Sequence, residues 1–315
     1  KSTFSLNNTP LNINGLLSLN LSNAKPKILL NLKMSTLNLG GITSSNPSPI
    51  TSNLKGNTEE PSSTSRWSRS KIDLSFLKKI DGDAAITTQK VIKGELVLDS
   101  IKAVIKLTDG ILYLKSLSGN LYGGHLEASG QVTSEQSQTA SFKASLKGAH
   151  LKNMIPHGRK IKVTEGTVNF DADLRTSGQT EYQYISNLFG NAQLTAVNGR
   201  VSGFDLQKIL NSFKNIKNLD SFLTSLDSSF SGGETSFNQL AIDTNIKDGI
   251  ANITKCNLDV PSANMAATGN INLPKYTIDV NSTINIDMKS MPPLKAHIYG
   301  LLDNPQHKLD TKALQ

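Results

Sequence analysis

The sequence predicts a mainly β protein: an elongated antiparallel sheet of repeated β-meanders with one apolar and one wet face, with one or two amphipathic helices. Three observations lead there. Turn signals recur from end to end, among them Asp109-Gly110, Gly123-Gly124, Lys147-Gly148, Glu165-Gly166, Asn198-Gly199 and Asp248-Gly249. Between them apolar and polar residues alternate with period two, as a strand with one buried face requires, because successive side chains point to opposite sides. The chain also resembles itself at a shift of 139 residues, which lays Leu107 on Ile246, Asp109-Gly110-Ile111 on Asp248-Gly249-Ile250, Leu114 on Ile253 and Gly130 on Gly269. Such a repeat is either a stacked β-meander or the common turn chemistry of antiparallel proteins.

Taken in order, residues 1–40 read as the end of a preceding repeat of the same kind, with a looser copy beginning at Gly15. Residues 41–65 lie in a stretch with Pro47, Pro49, Pro61 and seven serines, which supplies no buried face and reads as an exposed loop or linker. From residue 66 to 315 the chain reads as one domain past that boundary. Val168, Phe170, Ala172 and Leu174 alternate with Asn169, Asp171, Asp173 and Arg175. Leu240, Ile242 and Ile246 stand opposite Asp243, Asn245 and Lys247. The cleanest strand begins at Thr277, with Ile278, Val280, Ile284, Ile286 and Met288 on one side and only Ser282 breaking the series. Val168, Phe170, Leu174, Leu240, Ile242, Ile246, Ile278, Val280, Ile284 and Ile286 are therefore the expected lining of one apolar face.

Two stretches depart from this period. From about 204 to 230 Leu206, Ile209, Leu210, Phe213 and Phe222 follow the three-and-four spacing of an amphipathic helix, which either caps the apolar face or, through Lys208, Lys214 and Lys217, lies on a lipid surface. A shorter helix is expected from Glu181 to Phe189, with Tyr182, Ile185, Leu188 and Phe189 on one side and Gly190 as its C-terminal cap.

Chemistry leaves few traces. The five histidines are scattered, and the lone Cys256 sits in an alternating stretch without a nearby His, so neither a metal site nor a thiol nucleophile is expected. No phosphate-cradling glycine loop occurs. No cofactor and no enzymatic activity are expected. The formal charge is +8, but aromatics make up only 5% of residues, which argues against nucleic-acid binding. Basic residues around Arg66 to Lys79 and Lys147 to Lys162 read as solvated surface or as attraction to anionic lipid. The longest uninterrupted apolar run is Ile111 to Leu114, far short of the roughly 20 residues of a spanning helix.

Several ordered motifs carry a family likeness. Arg66-Trp67-Ser68 precedes Ile72-Asp73-Leu74-Ser75-Phe76-Leu77 and Ile80-Asp81-Gly82-Asp83. Leu121-Tyr122-Gly123-Gly124, Gly190-Asn191-Ala192-Gln193-Leu194 and Gly233-Glu234-Thr235-Ser236-Phe237 follow, and Gly300 with Asp303-Asn304-Pro305 closes the run. In their order and spacing these residues resemble the C-terminal part of the AsmA family of bacterial envelope proteins. The resemblance implies that the meanders curl into an open groove, with residues 66–315 as the C-terminal β-groove domain of a periplasmic protein that shields phospholipid acyl chains between inner and outer membrane and supports outer-membrane assembly. It also implies an inner-membrane anchor in a segment not present in this chain, which starts at Lys1 without an initiator Met. Phospholipid, the inner and outer membranes and other envelope proteins are the implied partners. The rival reading is a structural or regulatory module that binds an envelope protein by adding a strand to its edge.

Overall fold

A computed structural model describes residues 2–6, 9–21, 25–38, 66–93, 96–135, 137–150, 162–202, 205, 207–208, 211, 232–287 and 292–310. The elements are β1 (Ser2–Leu6), β2 (Thr9–Asn20), β3 (Lys27–Asn38), β4 (Asp81–Lys93), β5 (Leu96–Thr108), β6 (Ile111–Leu121), β7 (Gly124–Thr133) and β8 (Thr139–His150). They continue as β9 (Lys162–Ser177), α1 (Glu181–Ser186), β10 (Phe189–Ser202), β11 (Glu234–Lys247), β12 (Ile250–Val260), β13 (Ala263–Asn272), β14 (Thr277–Ile286), β15 (Leu294–Leu301) and β16 (Asn304–Asp310). A 3-10 turn, Ser75–Lys78, precedes β4.

The sixteen strands form one open, curled sheet in strict sequence order. Among the described residues, strands that are not neighbours make no more than marginal contact. The ladder does not close on itself, so the sheet is not a barrel. Every pairing is antiparallel except β3 with β4, where Leu30 lies beside Ala84 and Leu32 beside Ile86 in parallel register. That joint brings β1 to β3 into the same sheet as the strands after residue 80. The 41–65 stretch predicted as a linker lies outside the described residues.

The repeat is built into the backbone. Asp109-Gly110 and Asp248-Gly249 both turn with positive φ, at 50° and 77° and at 51° and 70°, which is the geometry of a two-residue hairpin turn. The β5–β6 ladder slips one residue at Lys115, and the β11–β12 ladder slips one residue at Thr254, 139 positions later. Coincident bulges at a fixed offset go beyond common turn chemistry. Gly190 and Gly269 lie inside strands on the apolar face with φ of +141° and +148°; a Cβ there would come within 2.0 Å of the Asp173 carbonyl oxygen and 2.2 Å of that of Asp279. Only glycine lets adjacent backbones close up in this way.

The short helix differs from expectation. Thr180 caps its N-terminus, the hydroxyl accepting from the Gln183 amide at 3.1 Å, and the helix ends at Ser186. Phe189 and Gly190 already belong to β10, where Gly190 pairs with Leu174 on one side and Ile246 on the other. Two ladders compete there with one more helical turn, and the ladders win. Of the expected 204–230 helix only residues 205, 207–208 and 211 are described, and Leu206, Ile209, Leu210, Phe213 and Phe222 lie outside the described residues.

Candidate functional site

One face of the sheet carries an unbroken apolar row from β2 to β16. Following cross-strand partners, it runs Leu17, Leu30, Ala84, Ile105, Leu114, Gly130, Phe142 and Leu174. It continues through Gly190, Ile246, Ala251, Ile271, Ile278, Gly300 and Pro305. At about 4.8 Å per inter-strand step this row is about 67 Å long, and it holds no polar side chain.

Parallel rows widen the apolar face. Ala128, Ala144, Ala172 and Ala192 stand side by side on β7 to β10. They form a low floor between the row just described and a wall of Leu126, Leu146, Phe170, Leu194 and Ile242. Beyond that wall run Val168, Ala196, Leu240, Leu258, Met265, Ile284 and Leu294.

All ten residues singled out from the sequence lie on this one face. Leu174, Ile246 and Ile278 belong to the long row, Val280 to the row of the alanines, Phe170 and Ile242 to the wall. Val168, Leu240 and Ile284 follow beyond it, and Ile286 pairs with Ala263. They differ in accessibility. Val168, Ile246, Val280, Ile284 and Ile286 are buried, whereas Phe170, Leu174, Leu240, Ile242 and Ile278 are half-buried. Burial is densest from β8 to β15, where Leu146, Val168, Phe237, Leu258, Ile284 and Leu294 belong to one cluster. Toward β2 the face opens: Leu17 is 70% and Phe142 45% exposed. Sequence reasoning passed over Phe142 and Leu146, although Ser141 to Lys147 alternates as strictly as any stretch it used.

The opposite face is mostly polar, with Val104, Phe189 and Val197 exposed on it, and is tied across strands by the ion pairs of Lys143 with Asp173 at 2.9 Å and Arg200 with Glu234 at 3.1 Å and by a hydrogen bond between His297 and Asp279 at 2.9 Å. Lys147 donates to Asp171 and holds its carboxyl below the usual range. Such pairs fix register more than they stabilise, because both partners stay wet. A twisted sheet is saddle-shaped, so this face is concave too: a depression of about 750 Å³ lies over β6 to β10, edged by Lys115, Lys143, Arg175 and Phe189.

Reactive chemistry is sparse. Cys256 lies on the apolar face beside Ile242, and burial pushes its thiol pKa up, away from the thiolate a nucleophile needs. Among the described residues no three His, Cys, Asp or Glu side chains gather where they could hold a metal ion.

One large, open, curled sheet with one apolar and one mostly solvated face defines a β-groove protein. The sequence profile of the AsmA family matches residues 4–256, and the chain belongs to that family. The match takes in the strands before residue 40 as well as those after 66. "AsmA family protein YhjG" of Escherichia coli (strain K12) is 24% identical over 234 residues, covering 72% of this chain and 32% of that protein. The chain thus spans about a third of the length of that curated relative. No solved structure matches. Membership places the chain among envelope-associated proteins, and among the described residues no helix is long and apolar enough to cross a membrane.

Proposed function

We propose that this chain is a non-enzymatic lipid-handling segment that shelters phospholipid acyl chains on its apolar face as they pass between inner and outer membrane. The observation that carries this reading is the row from Leu17 to Pro305, in which every partner is apolar or glycine. A sixteen-carbon chain gains about 12 kcal/mol when it leaves water, at about 0.8 kcal/mol per CH₂. A continuous hydrocarbon surface recovers much of that without gripping any one atom, so a lipid can slide. In this reading the protein works in the periplasm, held to the inner membrane by a segment outside this chain, and supports outer-membrane assembly.

Strand addition to an envelope partner has less support. The edge strand β16 is seven residues long and carries Pro305 and Lys308, two features that discourage pairing.

Photocrosslinkers test the lipid reading. Placed at Phe142, Leu174 and Ile242 they are expected to capture phospholipid in cells, and at Lys143, Asp173 and Asp243 to capture none. Phe142→Asp, at a half-open position, should lower co-purified lipid several-fold in native mass spectra with little change in melting temperature. Equal capture on both faces, or full lipid loading of Phe142→Asp, overturns the proposal.

A further inference from the structure

The chain leaves β3 at Asn38, beside Ile92, and is next described at Arg66, at the far end of the sheet. From there residues 66–78 run back along one rim, across the turns that join the strands. Arg66 pairs with Asp303 in the β15–β16 turn and lies 3.8 Å over the Tyr276 ring. The Trp67 indole N–H donates to the Leu273 carbonyl at 2.9 Å, in the β13–β14 turn. Ser68 accepts from the Tyr182 amide at 3.0 Å and donates its own to Glu181 at 2.9 Å. The Ile72 amide bonds Gln179 at 2.7 Å, and the Lys78 stem packs on Gly110 in the β5–β6 turn.

Lengths make this segment a chord. Twelve residue steps separate Arg66 from Lys78, about 40 Å when fully extended, while the turns they touch lie ten inter-strand steps apart, about 48 Å on a flat sheet. The shortfall is sharpest at one end. Arg66 and Ser68 are about 7 Å of chain apart, yet the β15–β16 and β9–β10 turns they hold would be about 29 Å apart on a flat rim. The helix α1 and the long Arg66 and Trp67 side chains fill part of that gap, and the curl of the sheet fills the rest.

The two ends are held differently. Leu77 is 2% exposed, a buried pivot. At the other end the Arg66 and Asp303 side chains are 48% and 47% exposed, an attachment that water and salt can reach.

We infer that residues 66–78 form a latch, pivoting at Leu77 and fastening at Asp303, that sets the curl of the sheet and so the width of the apolar trough. Only the consequence for lipid depends on the function proposed above; the mechanical statement does not.

Trp67 is the sole tryptophan of the chain, so its fluorescence reports the fastened state directly. The test uses the full chain with Cys256→Ala and spin labels at Lys106 and Thr268, exposed positions on β5 and β13. In Asp303→Lys the Trp67 emission should shift red and the mean label distance lengthen by about 5 Å, one inter-strand spacing, or more. A red shift with an unchanged distance overturns the claim that the segment sets the curl. Unshifted emission in both Asp303→Lys and Asp303→Lys/Glu181→Lys overturns the latch itself. Neither readout involves lipid, so these results stand apart from the crosslinking outcome.

Discussion

Gln138 shows how one side chain holds distant parts of the sheet together. It is 4% exposed; its amide nitrogen donates to the Ile72 carbonyl at 3.0 Å and its oxygen accepts the Tyr184 hydroxyl at 2.8 Å. Burial pushes the Tyr184 phenol pKa up, so it stays a donor. Gln138→Leu keeps the volume but strands both partners. The expected loss is about 1–3 kcal/mol, read as a lower urea midpoint at constant slope. Nothing local in the sequence announces Gln138, because its partners are 66 and 46 residues away. The apolar lining is the opposite case: Ile278, Val280, Ile284 and Ile286 were placed on one face by alternation alone, since a pleated strand leaves no other choice.

At the level of elements, the paired turns offer an internal control. Gly110 and Gly249 hold the same turn position, but their surroundings differ. A Cβ at Gly110 would meet the Ser134 hydroxyl oxygen at 2.5 Å, which can rotate away, whereas one at Gly249 would meet the Ile185 carbonyl oxygen at 2.5 Å, which cannot. Both alanine substitutions incur the left-handed backbone penalty of about 1–2 kcal/mol. Gly249→Ala should therefore cost more than Gly110→Ala in chemical denaturation, and equal costs would contradict this account of the contacts. These turns were legible because Asp-Gly names its own geometry. The parallel β3–β4 joint was not, since a crossover leaves no turn signature, and the rim segment was not, since its residues follow neither strand nor helix period. Gly190 misled as a helix cap because a glycine with positive φ serves equally well inside a strand.

For the molecule as a whole, strand pairing that runs only from neighbour to neighbour implies stability that varies along the sheet instead of one all-or-none value. Amide hydrogen exchange should be slowest in β9 to β14, where the buried cluster lies, and fastest in β2 and β3, where Leu16, Leu17 and Leu19 are 78%, 70% and 55% exposed. Uniform protection from β2 to β15 would contradict that gradient. The fold class was legible because period and turn chemistry recur in every strand, whereas accessibility along the trough was not, since alternation fixes a side and says nothing of what covers it. The rim segment adds a constraint on how such proteins change size. A hairpin inserted between β5 and β15 would outrun a tape of thirteen residues already drawn tight, while strands gained before β5 or after β16 leave it untouched. With the latch in place the middle of the sheet is a fixed-gauge block, and relatives with more or fewer strands are expected to differ at its flanks.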